Sequence, residues 1–361
     1  MTDLAIKLMN TKPFKNILVV NLGGIGDILL SLPALKALRG LYPQARISML
    51  IVPRVREMME GSPYVDELFA LDVGWGSRFG IVKMFGNART LFLLRGRRFD
   101  IAINMRTLVS DKSAWEMRLL FAVIGPKVKA GRDTEGRGSF FDITVPESDS
   151  GDRYEMYYDI EMAKKLGALD VDERVDYRVD EESRKKVLRV LEERGVGEND
   201  TLVIVNPGGA PANRWPLERF ARAINEIYNR TNAKFVITGG AGEAGLALEL
   251  GENINADAID LAGKLSVKEL SALIERCDLF ITNDTGPMYI AAVLRKPLVA
   301  IFGPGHITRY DPRKVSDKAV VVYNKVECAP CNRKACNSMR CLKGIPPDGV
   351  VEAALRLLGR T

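Results

Sequence analysis

One histidine, His306, stands in 361 residues. With so few imidazoles a Ser-His or His-His catalytic scheme is hard to build, and a solvated loop position after Phe302-Gly303-Pro304-Gly305 is expected for it. Long apolar runs are also missing: no stretch reaches the ~18 unbroken apolar residues that span a bilayer. Met1 to Lys15 lacks the apolar region and small-residue cleavage site of a secretory leader. A cytoplasmic location is therefore expected, with attachment to the inner face of a membrane as its furthest extension. No run of Lys and Arg interleaves with aromatics, which argues against a dedicated nucleic-acid binder. Neither charge sign dominates: 52 Lys and Arg stand against 46 Asp and Glu, a net of +6. That mild excess favours anionic partners such as nucleotides, phosphorylated sugars or an acidic lipid surface. Cysteine is scarce except at one place, since four of the five fall between Cys328 and Cys341.

What is present is alternation. Apolar, β-branched runs (Ile17 to Asn21, Arg46 to Val52, Val65 to Leu71, Ile101 to Asn104, Val128 to Ala130) are separated by stretches with helical spacing. Residues 131–153 are polar and rich in Gly, Asp and Ser, and read as loops. A helix over Tyr154 to Leu166 and a charged connection over Asp170 to Asp180 follow. The alternation then restarts, with strands at Leu202 to Asn206, Lys234 to Thr238, Ile259 to Leu261, Leu279 to Thr282 and Leu298 to Phe302. Asp348 to Leu358 reads as a closing amphipathic helix. Strands alternating with helices predict parallel sheets covered on both faces. The fold class is therefore α/β, with two doubly wound Rossmann-like domains facing a cleft. The first domain spans 1–175, the second 176–345, and a C-terminal helix occupies 346–361; a 47% hydrophobic content suffices for two cores.

Two turns have the make-up of a phosphate or sugar site. Asn21-Leu22-Gly23-Gly24-Ile25-Gly26-Asp27 follows the first strand, and Asn283-Asp284-Thr285-Gly286-Pro287 follows a late one. A strand, a Gly-bearing turn and a helix start bring backbone N–H groups and a positive dipole end to one spot. The glycines at 23, 24 and 26 do not fit the dinucleotide fingerprint. Asp27 is either a helix cap or a general base that takes a hydroxyl proton. Asp284 and Thr285 either cap the helix near Pro287 or, with the Gly286 N–H, hold a phosphate. The loop Asn206-Pro207-Gly208-Gly209 leads to Arg214, whose fork suits a diphosphate; the alternative is an exposed loop arginine. Glu243 is a helix-start residue or an acceptor for a ribose hydroxyl. The spacing Cys328, Cys331, Cys336 and Cys341 suits a closed, structural zinc site. Reduced loop thiols or two disulfides are the competing readings.

Taken together, Asn21 to Leu35, Asn206 to Pro216, Gly263-Lys264-Leu265-Ser266 and Asn283 through Pro304 resemble glycosyltransferase family 9, the ADP-heptose:lipopolysaccharide heptosyltransferases. The resemblance implies a glycosyltransferase B-type fold and inverting transfer without a catalytic metal. It implies an N-terminal domain for the acceptor, an anionic glycolipid or a saccharide, and a C-terminal domain for a nucleotide-sugar donor, with ADP expected. The Asp27 position would take the acceptor proton. Gly208, Arg214, Glu243, Asp284, Thr285 and Gly286 would hold the donor. Gly24, Arg106 and Arg132 are the candidates on the acceptor side. The chain departs from the family at Asn213, where a lysine is common, and at Tyr289, where a histidine is common. A sugar-nucleotide epimerase or hydrolase of the same plan, and a non-catalytic nucleotide-binding module, are the alternatives.

Overall fold

The computed structural model describes residues 14–73, 81–149, 151–331 and 336–360, with side chains from residue 86 onward in the second stretch. The N-terminal segment up to residue 13, where a leader was sought, lies outside the described residues. The chain divides into two compact units, Met1–Val175 and Asp176–Thr361.

The first unit is built from β1 (Asn16–Asn21), α1 (Ile25–Leu41), β2 (Arg46–Ile51), a short α2 (Arg56–Met59), β3 (Glu67–Ala70) and α3 (Ile81–Gly96). It continues with β4 (Ile101–Asn104), α4 (Asp111–Ile124), β5 (Val128–Thr134), β6 (Ile143–Glu147) and α5 (Glu155–Lys165). The strands pair in parallel in the order β3-β2-β1-β4-β5-β6. Ile17 to Val20 of β1 have no exposed surface, the signature of a parallel strand covered on both faces. Helix α1 packs on α5, and α3 packs on α4. Leu91, Leu94, Met117, Leu120, Phe121 and Ile124 turn inward from α3 and α4 onto one core.

The second unit contains α6 (Glu181–Glu193), β7 (Leu202–Asn206), α7 (Leu217–Thr231), β8 (Lys234–Ile237), α8 (Ala244–Glu252), β9 (Ala258–Asp260) and α9 (Val267–Arg276). Then come β10 (Leu279–Asn283), α10 (Gly286–Val293), β11 (Leu298–Phe302), a short α11 (Ile307–Tyr310), β12 (Ala319–Tyr323), a short α12 (Arg340–Lys343) and α13 (Pro347–Leu357). The sheet is again parallel, in the order β12-β11-β10-β7-β8-β9. The closing helix α13 packs on α7, with Val350, Val351, Ala354 and Leu355 in the unit's core.

Three strands differ from the sequence-based expectation. The stretch read as loops contains β6, and β5 runs on to Thr134. β6 is an edge strand carrying Pro146, which an edge position tolerates because one side of its backbone needs no ladder donor. β12 forms the opposite kind of surprise: Ala319 to Tyr323 is a plain β-branched run that pairs with β11.

Candidate functional site

Both sheets reverse their strand order at one point, between β1 and β4 in the first unit and between β7 and β10 in the second. Crevices beyond the carboxyl ends of such strands are the usual ligand positions in open α/β sheets. All four of these strands end in asparagine: Asn21, Asn104, Asn206 and Asn283, each at most 4% exposed. Three of the amides turn the chain the same way, accepting from the backbone N–H two residues on. Asn21 accepts from Gly23 at 3.2 Å, Asn104 from Arg106 at 3.2 Å and Asn206 from Gly208 at 3.0 Å. A short amide bonding its own backbone is a local turn device. Here it aims each following loop off the sheet end.

In the first unit this device places Asp27. The Asn21 amide also donates to the Asp27 carbonyl at 3.2 Å. Asp27 lies at the third position of α1, and its Oδ2 accepts the Gly24 N–H at 2.7 Å, satisfying a backbone donor at the helix start. Its other oxygen, Oδ1, pairs with Nη1 of Arg106. Both side chains keep a minor exposure, 18% for Asp27 and 23% for Arg106. Gly23 is required here, because a Cβ on it would stand 2.5 Å from the Asp27 side chain. Capping and a solvent-reachable carboxylate thus coexist in one residue, and Arg106, placed by Asn104, is its direct neighbour.

Arg132 occupies a different setting from the ligand-facing one expected. Its side chain is 1% exposed, and its guanidinium bonds Glu147 at 3.2 Å, Glu155 at 2.7 Å and Asp159 at 2.5 Å. Three buried carboxylates claim its donors, so it serves as their internal counter-ion and is not presented to an acceptor. Burial works against its charge, but Asp159, Glu155 and Glu147 outweigh this and hold its pKa well above the usual arginine value. Burial also pushes Asp159 up to about 7 against the pull of Arg132, with Glu155 adding to the rise. Glu155 reaches toward the site as well, since its Oε1 lies 4.0 Å from Nη1 of Arg106.

In the second unit the donor-side candidates converge. Asn283 is fully buried and bonds three ways: its amide donates to the carbonyls of Pro207 and Gly208 at 2.9 and 3.0 Å and accepts the Trp215 N–H at 3.0 Å. It thereby fastens the Asp284-Thr285-Gly286 turn to the Gly208–Trp215 loop. Glu243 accepts the N–H groups of Gly209 at 2.6 Å and Gly240 at 2.7 Å. Arg214 donates from Nε to the Gly209 carbonyl at 2.7 Å, and its Nη2 lies 3.7 Å from Glu243. Gly208 lies so close to Glu243 that a Cβ would collide with the carboxylate, and a Cβ on Gly209 would stand 2.7 Å from the Thr285 methyl. The Thr285 hydroxyl bonds Thr282 at 3.2 Å and the Asn283 carbonyl at 3.3 Å and leaves α10 without a side-chain cap. The leading end of that helix is therefore suited to an anion. Beside it, burial alone pushes Asp284 up to about 7.

His306 is half-buried at the start of α11, not solvated as expected. Tyr289 is 4% exposed and donates its hydroxyl to the Tyr310 carbonyl at 2.7 Å. The organising role of the four strand-end asparagines is the part that motif reading missed. Their recurrence at strand ends was the available signal.

Cys328, Cys331, Cys336 and Cys341 line a common cavity of about 200 Å³ with Ala212, Pro304 and Met339. All four are free thiols, and burial raises the pKa of Cys341. Among the described residues no three His, Cys, Asp or Glu side chains form a metal-ligand set. The donor chemistry suits zinc, but the thiols are not gathered on one point.

Two parallel α/β units, each with an Asn-Gly turn and a carboxylate at its switch point, are the architecture of a glycosyltransferase B-type protein. The family model for glycosyltransferase family 9 (heptosyltransferase) matches residues 89–342, and the chain belongs to that family. It is 35% identical over 162 residues to lipooligosaccharide heptosyltransferase 2 of Campylobacter jejuni subsp. jejuni serotype O:2, covering 43% of this chain and 50% of the relative. The match thus spans about half the length of that relative. Similarity to lipopolysaccharide heptosyltransferase 3 of Escherichia coli strain K12 is 25% identity across 92% of this chain and 95% of the relative. The solved structure of E. coli ADP-heptose LPS heptosyltransferase II is alike in fold, with a TM-score of 0.74 at 22% identity over 96% of this chain and 99% of that one.

Proposed function

We propose that the chain is an inverting glycosyltransferase that moves a heptose or related sugar from an ADP-sugar to an anionic glycolipid or saccharide acceptor of the lipopolysaccharide type. The observation that carries the reading is the pair of switch-point clusters in a family 9 chain: a reachable carboxylate at Asp27 in one unit, and an uncapped helix start beside Asp284 in the other. The names of the relatives, lipopolysaccharide heptosyltransferase and ADP-heptose heptosyltransferase, supply the sugar, donor and acceptor classes.

The chemistry is a single displacement. The acceptor hydroxyl oxygen attacks the anomeric carbon, the bond from that carbon to the diphosphate oxygen breaks, and Asp27 takes the hydroxyl proton. ADP leaves with the bonding pair, and one in-line attack inverts the anomeric centre. Charge developing on the leaving diphosphate is met by the start of α10 and by Arg214. An anionic group on the acceptor draws Arg106 from Asp27, freeing the carboxylate as a base only when acceptor is bound. A carboxyl with a pKa of about 7 at Asp284 can donate a hydrogen bond to a sugar or phosphate oxygen without adding full negative charge beside the diphosphate.

The test is ADP release from ADP-heptose by the purified protein, with and without a heptose-deficient lipopolysaccharide acceptor. The reading expects ADP to appear only with the acceptor, and the sugar to arrive on it with inverted configuration. Sugar isomerised or hydrolysed at equal rate without acceptor would replace transfer by epimerase or hydrolase chemistry.

A further inference from the structure

We infer that Glu243 and a phosphate group compete for one anion cradle, so that the donor's diphosphate must expel the Glu243 carboxylate in order to bind. Two glycine pairs form the cradle. Gly208-Gly209 follows β7 and Gly239-Gly240 follows β8, and those strands are neighbours in the sheet. The carboxylate sits over both pairs: a Cβ on Gly208 would collide with it, and Cβ atoms on Gly239 and Gly240 would stand 3.3 and 3.6 Å from Oε2. Oε1 accepts the Gly209 N–H at 2.6 Å, and Oε2 accepts the Gly240 N–H at 2.7 Å. Nη2 of Arg214 lies 3.7 Å from Oε1. Two backbone donors and a guanidinium at the carboxyl ends of parallel strands suit a pair of phosphate oxygens. Here a carboxylate of the same chain holds them.

Helix capping does not account for this placement. A cap needs only the donors of its own turn, as where Glu269 accepts the Ser266 N–H at 2.8 Å. The Gly240 N–H meets that need for Glu243. Gly209 lies 34 positions away, on the loop that leads to Arg214. Packing does not lock the side chain in place either. It keeps 21% exposure, and Ala241, Gly242 and Ala244 around it are exposed, so its own rotations can carry it into solvent. A ligand whose site is filled for part of the time by the chain binds more weakly in proportion to the vacant fraction. A cradle vacant about one-tenth of the time lowers phosphate affinity about tenfold. That penalty falls on every phosphate-bearing ligand, and one with further contacts, as a nucleotide-sugar has, overcomes it. The competition presupposes the donor site proposed above, but not the sugar, the acceptor or the role of Asp27.

The experiment is titration calorimetry of the full chain with inorganic pyrophosphate, which carries no ribose or base, in a chloride buffer. Glu243→Ala is expected to bind it at least tenfold more tightly than the parent. Glu243→Gln, which keeps the length but offers one acceptor atom in place of two, should fall between them. Acetate should compete with pyrophosphate in Glu243→Ala more than chloride does at the same ionic strength, because it returns a carboxylate to the cradle. Glu249→Gln removes the same charge from an exposed position on α8 and should change the affinity less than twofold. A folded Glu243→Ala, judged by its melting transition, that binds no more tightly than the parent would overturn the inference. So would an equal gain in Glu249→Gln, since general repulsion would then suffice. Acceptor-dependent ADP release reads the transfer proposal separately: a parent that transfers sugar, with pyrophosphate affinity unmoved by Glu243→Ala, defeats the competition alone.

Discussion

Replacing Asp284 by asparagine should stabilise the second unit while impairing transfer. Burial alone raises this carboxyl from 3.8 to about 7. An acid whose folded pKa lies above its unfolded value binds the extra proton in the folded state. Stability therefore falls as pH rises from about 4 to about 7, and the loss is complete above that. Roughly three units at about 1.4 kcal/mol each give about 4 kcal/mol; the residue's remaining contact with solvent reduces this to about 2 kcal/mol. Asparagine has no charge to bury, so the variant should gain that amount at pH 8 and much less at pH 5. Trp215, which is 1% exposed in this unit's core, reports the transition in urea once Trp75 and Trp115 are changed to Phe. A variant no more stable than its parent at pH 8, or a parent whose stability does not drop between pH 5 and 8, would refute the reasoning. The gain matters for function because it identifies a group kept at a cost to the empty protein, as expected of a side chain reserved for a ligand.

Other outcomes follow from the same geometry. Arg132→Met should lower stability by about 3–5 kcal/mol, because three buried carboxylates lose their counter-charge; the melting temperature of the first unit checks it. Gly208→Ala should displace the Glu243 carboxylate that the added methyl would strike and raise the KM for donor with little change in melting temperature. Asn283→Ala should cost about 3 kcal/mol or more, since it leaves the Trp215 N–H and two buried carbonyls unpaired, and should weaken donor binding in titration calorimetry.

The strands that build each sheet centre were readable because burial on both faces turns them into unbroken apolar runs, as in Ile17 to Val20 and Leu279 to Ile281. β6 was not, because Pro146 and the polar residues around it make an edge strand look like a loop. β12 was not among the expected strands, although Ala319 to Tyr323 carries the same apolar, β-branched signal as its neighbours. The family resemblance and the B-type fold followed from the Asn21 and Asn283 turns and the segments between them. What the sequence could not convey is pairing across elements. Arg106 opposite Asp27 depends on β1 and β4 lying side by side, and Arg132 looked like an exposed loop cation until β6 and α5 closed Glu147, Glu155 and Asp159 around it. Nor does the Cys-x2-Cys spacing report that the thiols share a cavity without meeting at one point.

The most direct measurement is the turnover of Asp27→Asn beside its affinity for the donor. Asparagine keeps the size and hydrogen-bonding reach of the side chain at the Gly24 N–H but cannot take a proton. The account predicts donor affinity within a factor of about two of the parent and a turnover lower by about 10²–10⁴. Turnover near the parent's, with donor binding intact, would contradict it.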